Sequence, residues 1–187
     1  MILVTGFEPF TTGQGLKLKH NPTGDIAMAV GARLDNAIGS VLPVSFAKTK
    51  ASLLDLFDKH KPTHWLGMGF APHRTTIDVE VVALNLEHAV RGDNDGDTPT
   101  LRPIHDHAPV AYRCAHDLSP LVNMLDGKSE RAQLNFHAGT FLCNQVYFLA
   151  CHEVHQGRLE TATFVHVPPM RDYKAFDAAL TEHLRSL

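Results

Sequence analysis

The sequence predicts an α/β fold: a largely parallel sheet covered by helices on both faces. Three observations lead there. Short apolar runs alternate with segments of helical periodicity along the whole chain, the pattern of strands joined through crossover helices. The 187 residues suit one domain, residues 1–187, large enough to bury a continuous core without disulfides or metals. No internal repeat or linker interrupts the alternation.

The elements follow in order. "ILVTG" reads as the first strand, and "GDIAMAVGARL" as a helix with Asn21 as N-cap and Pro22 at its first position. "SVLPVSF", Ser40 to Phe46, reads as the second strand, and "ASLLDLFDKHK" as the second helix, with apolar positions at Leu53, Leu54 and Phe57 and a basic end that suits the dipole. "HWLGMG" is the third strand. "TTIDVEVVALNLE", Thr75 to Glu87, reads as one longer strand, and Val90 to Pro109, rich in Asp, Gly, Pro and His, as a loop. "AYRC" is a short strand. "DLSPLVNMLDG" is a helix capped by Asp117 and stopped at Gly127, followed by the strand "AQLNF", the helix "LCNQVYFLACHEVHQG", the strand "TATFVHV" and the final helix "YKAFDAALTEHLRSL".

Composition narrows the function. A net charge of −3 gives no electrostatic footprint for nucleic acid or an anionic membrane, and a small neutral or polar ligand suits the chain better. No run of apolar residues is long enough for a transmembrane helix, and the start "MILVTG" lacks a basic n-region, so a cytoplasmic protein is expected. The 3 cysteines, Cys114, Cys143 and Cys151, are widely spaced with no C-x-x-C, and free thiols are expected.

The 13 histidines invite a metal reading, which the spacings reject. "HEVH", His152 to His155, is one residue short of the H-E-x-x-H zinc helix. The loop "DNDGD", Asp93 to Asp97, starts like an EF-hand, but Thr98 and Ile104 occupy the positions where glycine and glutamate are needed. No metal and no cofactor is expected.

Open α/β sheets bind ligands at the carboxyl ends of their strands, where "GFEPF", "GMGFAPHR", "HAGTFLC" and "FVHVPP" gather. Cys143 falls at a helix N-terminus, which supplies unpaired N–H groups and the positive end of a dipole, conditions that lower a thiol pKa and can hold an oxyanion. Ala138 and Gly139 before it permit a tight turn. Cys151, deep in the same helix, has no such place, and a free cysteine is by default a small buried hydrophobe. His166, at an apolar strand end, is a candidate base, though a buried histidine bonded to backbone would look the same. Asp78 and Glu80 share one strand face by period two, and either could orient that imidazole or merely face water.

"MILVTGFEPF" followed by "NPT", then "EVVALN" with "DNDG", then "AGTFLCN", then "FVHVPP" resemble in order and spacing pyroglutamyl peptidase I, the pyrrolidone-carboxylate peptidases, over essentially the whole chain. The resemblance implies a three-layer α/β/α sandwich, a cytosolic enzyme without a cofactor, and a homotetramer. It implies Cys143 as nucleophile, His166 as base and Glu80 as orienting carboxylate. It also implies Phe7, Phe10, Phe70, Phe141 and Leu142 around the substrate, a peptide with N-terminal pyroglutamate cleaved through a thioester. Alternatives are a thiol amidase for another small cyclic or capped acyl group, and a binding protein with little turnover.

The chain departs from the family pattern in three places. Gly69-Phe70-Ala71-Pro72-His73-Arg74 stands where many members read G-Q-A-G-G-R, keeping the arginine and losing the glutamine and two glycines. Val90, followed by Arg91, stands where the family has an arginine before its P-D-N turn. The "TTGQGLKLKH" segment is longer than usual and puts Thr11-Thr12 in place of a glycine pair, which would narrow the entrance.

Overall fold

The computed structural model describes residues 1–12, 15 and 17–187. Eight strands and five helices run in the order β1 (Ile2–Phe7), α1 (Pro22–Arg33), β2 (Ala37–Leu42), α2 (Phe46–His60), β3 (His64–Phe70), β4 (Ile77–Glu80), β5 (Val82–Leu84), β6 (Ala111–Arg113), α3 (Ser119–Leu125), β7 (Ala132–Asn135), α4 (Leu142–His155), β8 (Thr161–Val167) and α5 (Lys174–Arg185). Six strands form one sheet in the order β2-β1-β3-β8-β4-β7, and β5-β6 form a separate two-stranded ribbon. Pairing is parallel throughout the main sheet except between β4 and β8.

Period-two alternation sorts the sheet residues onto two cores. Ile2, Val4, Leu66, Met68, Ile77, Val79, Val165 and Val167 pack with α1, α3 and α5. Leu3, Phe7, Trp65, Ala162 and Phe164 pack with α2, α4 and the ribbon. Helices thus cover both faces of the sheet, the α/β/α arrangement. Among the described residues no helix is long and apolar enough to cross a membrane.

Three element boundaries differ from the sequence reading, each for a local reason. The second strand occupies Ala37–Leu42 and stops before Pro43; Ser45, read as strand, instead caps α2, its hydroxyl accepting from the Lys48 N–H. α2 therefore starts five residues before the reading placed it, at Phe46 rather than Ala51. The long strand Thr75 to Glu87 divides at Val81, whose N–H bonds Asn135 O beside β7 while its carbonyl accepts from Cys114 N beside β6. The alternation holds from Ile77 to Val81 and then slips into the apolar run Val82-Ala83-Leu84, where the chain leaves one sheet for the other. Asn21 caps α1 as read, accepting from Thr23 N at 3.1 Å.

The loop from Val90 to Pro109 is ordered by side chains before it and within it. Asn85 donates to His105 O and Ala108 O and accepts from Ile104 N and His105 N. The Asp93 carboxylate accepts from the N–H groups of Phe46, Asp95 and Asp97, while Asp95 pairs with Lys48 and Asp97 with Arg102, so the acids that imitate an EF-hand start are spent on protein donors.

α4 is fixed at its start by buried amides. Asn144, fully buried, accepts from Leu84 N and donates to Leu84 O and Leu86 O, while Gln145 donates to Phe46 O and to Glu87 Oε1. The first turn of α4 is thus bolted to the ribbon and to α2. Asn144→Ala strands three partly buried backbone groups, and each group left unsatisfied away from water costs about 1–3 kcal/mol. Urea unfolding should show a loss of at least about 2 kcal/mol; an unchanged midpoint would mean that α4 is held by its apolar face alone.

Candidate active site

Three strands bring the chemistry-bearing residues to one sheet face. On β8, Phe164 and His166 face α4; on β4, Asp78 lies directly opposite His166 in the antiparallel register, with Glu80 one step deeper on the same face. Glu80 is fully buried and its Oε1 lies 2.6 Å from His166 Nδ1. The same Oε1 accepts from Arg74 Nη1 at 2.8 Å, and Oε2 accepts from Asn135 Nδ2 at 2.8 Å. Every oxygen of this buried carboxylate therefore has a donor, as a buried charge requires. A carboxylate on Nδ1 leaves Nε2 as the nitrogen available to a reaction.

On β3 the same face reads Trp65, Gly67, Gly69. A Cβ on Gly69 would stand 2.6 Å from Cys143 Sγ and 3.3 Å from His166 Cδ2, the carbon bonded to Nε2. The missing side chain leaves a space bordered by both the sulfur and the imidazole. Cys143 reaches it from the first turn of α4, where Gly139, with φ +83°, turns the chain ahead of the helix. One helical turn on, Tyr147 presents the same α4 face and donates to Glu80 O at 2.8 Å, so helix and acid are tied to one another.

Cys143, partly buried, does not titrate as its helix position alone suggests. Burial pushes its thiol up to about 12, the Glu80 charge adds to this, and Arg74 and the residue's own backbone N–H pull the other way. A helix N-terminus is worth about 0.3–1 kcal/mol, under one pKa unit, against desolvation that moves buried groups by up to about 3–5 units. Desolvation wins. His166 is lowered by its own burial and by Arg74, with the Glu80 hydrogen bond and the Glu80 and Asp78 charges opposing. Burial thus favours the neutral forms of both the thiol and the imidazole.

A cleft of about 330 Å³ opens over this group, lined mostly by apolar side chains. The five residues named as substrate-binding, Phe7, Phe10, Phe70, Phe141 and Leu142, all line it, together with Cys143 and His166. Val44, Ala71 and Pro72 extend the apolar wall. Three of its polar side chains are already engaged: Asn21 with Glu8 O and the Thr23 N–H and hydroxyl, Arg74 with two carboxylates, His166 with Glu80.

The departures also have places. Val90 points to solvent, while Arg91 Nη1 donates to Thr12 O at 2.5 Å and ties its loop to the segment after β1. Thr12 lines the cleft, and Thr11 pairs with Lys17; Gly13, Gln14 and Leu16 of the long "TTGQGLKLKH" segment lie outside the described residues. Cys114 and Cys151 are buried away from the cleft, with thiols pushed up by burial.

Sequence reasoning missed Asn135, which looked like any strand residue and gave no signal. It also missed the role of Gly69, although a glycine at alternate strand positions, "GMG", is the mark of a close approach. The histidine pair of "HEVH" ends α4 far from this chemistry, with His152 Nδ1 on the Tyr112 hydroxyl at 2.8 Å.

A family described as Pyroglutamyl peptidase matches residues 1–181. Pyrrolidone-carboxylate peptidase of Pyrococcus furiosus is 36% identical over 171 residues, 89% of this chain and 80% of the relative. The enzyme of that name from Thermococcus litoralis is also 36% identical, over 89% of this chain and 76% of the relative. The solved structure of the E192V mutant pyrrolidone carboxyl peptidase from Pyrococcus furiosus superposes with a TM-score of 0.88 at 31% identity, covering 98% of this chain and 96% of that one.

The raised thiol makes a prediction opposite to that of a helix-activated thiolate. The rate of Cys143 alkylation by iodoacetamide, followed by peptide mapping, should be slow at pH 7 and still climb above the ordinary cysteine value of about 8.5. A plateau already reached at neutral pH would show a preformed thiolate and contradict the neutral pair.

Proposed function

The chain belongs to the pyroglutamyl peptidase family of cysteine peptidases, and from that premise we propose that it removes N-terminal pyroglutamate from peptides, with Cys143 as nucleophile, His166 as general base and acid, and Glu80 as orienting carboxylate. The observation that carries the reading is the convergence on Gly69: one vacant Cβ position is bordered by the Cys143 sulfur and by the Nε2 side of an imidazole whose other nitrogen is held by a buried acid.

The neutral pair sets the order of events. Cys143 Sγ attacks the pyroglutamyl carbonyl carbon as its proton passes to His166 Nε2, and the carbonyl oxygen takes the negative charge. That oxyanion lies against the N–H groups of the first α4 turn, which a helix leaves without internal partners. The imidazolium, stabilised by Glu80, gives its proton to the leaving amine, the C–N bond breaks, and a thioester remains. His166 then takes a proton from water as the water attacks the thioester, releasing pyroglutamate and restoring the thiol.

Pyroglutamate is a lactam with no free amine, so an apolar cleft without an unpaired carboxylate fits it. Phe70 adds a specific feature. Where many relatives place a glutamine able to bond the ring, this chain places a group that can only stack or fill space. That observation favours a second reading, a thiol amidase whose acyl site accepts small cyclic groups on shape. A homotetramer and a cytoplasmic location complete the proposal on the strength of the resemblance.

The discriminating assay compares pyroglutamyl and prolyl chromogenic amides. Hydrolysis of the pyroglutamyl amide is expected, lost by about 10³-fold or more in Cys143→Ser and retained in Cys151→Ser and Cys114→Ser. Equal turnover of both amides would favour the shape-selective amidase, and undiminished turnover in a folded Cys143→Ser protein would remove the mechanism.

A further inference from the structure

Asp78 lies beside the proposed triad without lining the cleft, and its environment is too specific for a bystander. It is 4% exposed and accepts three hydrogen bonds, from Arg74 Nη1 at 2.6 Å, Thr76 Oγ1 at 2.8 Å and Gln133 Nε2 at 2.9 Å. Arg74 Nη1 is also the atom that donates to Glu80 Oε1 at 2.8 Å, and Glu80 Oε1 is the atom on His166 Nδ1 at 2.6 Å. One guanidinium nitrogen is thus divided between two acids, and one carboxylate oxygen between a cation and the imidazole.

We infer that Asp78 is a positioning residue that draws the charge of Arg74 away from Glu80, so that Glu80 stays available to the imidazolium formed during turnover. This rests on the triad reading above. Two buried carboxylates side by side need a cation, and Arg74 supplies it. Without Asp78, that cation would belong to Glu80 alone, and guanidinium and imidazolium would compete for one oxygen. The Thr76 hydroxyl and the Gln133 amide fix Asp78 so that it faces Arg74. The charged and titratable groups around His166 are Glu80 and Asp78 from β4, Arg74 from the β3–β4 connection and Cys143 from α4. The pull of Asp78 on His166 opposes that of Arg74.

A purely structural Asp78, present only to satisfy Arg74, would leave the imidazole titration in place. A positioning Asp78 would not, and the two single variants should act with opposite signs. His166 would be followed by NMR in ring-labelled protein, its signal identified by its loss in His166→Asn, with kcat and KM on a pyroglutamyl amide measured alongside. Asp78→Asn should move the His166 midpoint down by up to about one pH unit, since a carboxylate on the residue paired with His166 across the β4–β8 register favours the charged imidazole. It should also lower kcat about three- to ten-fold with little change in KM. Arg74→Gln should move the midpoint up. The double variant, which removes one charge of each sign, should restore most of the wild-type midpoint; it also keeps the test valid if Asp78→Asn alone fails to fold.

A folded Asp78→Asn protein with an unmoved midpoint would overturn the inference, as would single variants that shift it in the same direction. Absence of pyroglutamyl hydrolysis in the wild type would instead strike the functional reading, and the imidazole titration would still decide what Asp78 does.

Discussion

A carboxylate with no access to water, that of Glu80, is the constraint from which the rest of this site follows. A buried charge is tolerated only when its oxygens are fully partnered, and removing one partner from such a group costs about 3–5 kcal/mol. Glu80 obtains its donors from three elements: Arg74 after β3, Asn135 at the end of β7 and His166 on β8. Its backbone carbonyl holds Tyr147 and so α4. Four parts of the fold are thereby brought to one point, and the antiparallel pairing of β4 with β8 is what sets acid and imidazole on the same face.

The same burial shapes the chemistry. In water a helix N-terminus would favour a thiolate at Cys143, but in this enclosure desolvation and the Glu80 charge outweigh it. The site holds its charge in the Asp78–Arg74–Glu80 group, and burial favours the neutral forms of Cys143 and His166. In the proposed reaction, charge would develop on the imidazole beside Glu80 and on an oxyanion beside the α4 N–H groups, both in place beforehand. That is preorganisation, and it needs no movement of the sheet.

Much of this was legible in the sequence. Short apolar runs read β1, β3 and β8 correctly because these strands are buried on both faces of a covered sheet, the longer apolar segment gave α4 because most of its length is buried, and the Asn21-Pro22 pair marked the start of α1. The second strand was displaced because Val44 and Phe46 continue an apolar pattern beyond the proline that ends it. The division at Val81 shows only as a slip in the alternation, where Val81-Val82-Ala83-Leu84 run apolar in succession, and such a run also reads as continued strand. Cys143 was conspicuous by its place at a helix start, and His166 by its apolar surroundings. Periodicity could not separate Asp78 from Glu80, because both do face the same way and share one Arg74 nitrogen; only the contact of Glu80 with His166 Nδ1 separates them. Asn135 and Gly69 matter through partners distant in sequence, which no local pattern encodes.

The central claim is that an acyl group passes through a thioester on Cys143 inside this cleft. Acid quenching during turnover of a pyroglutamyl ester, followed by proteolysis and mass spectrometry, tests it most directly. The account predicts a gain of one pyroglutamyl group on the peptide that contains Cys143, discharged by hydroxylamine and absent in His166→Ala, where the proton transfer is lost. Steady turnover with no acyl group on that peptide, or an acyl group on Cys114 or Cys151 instead, would contradict it.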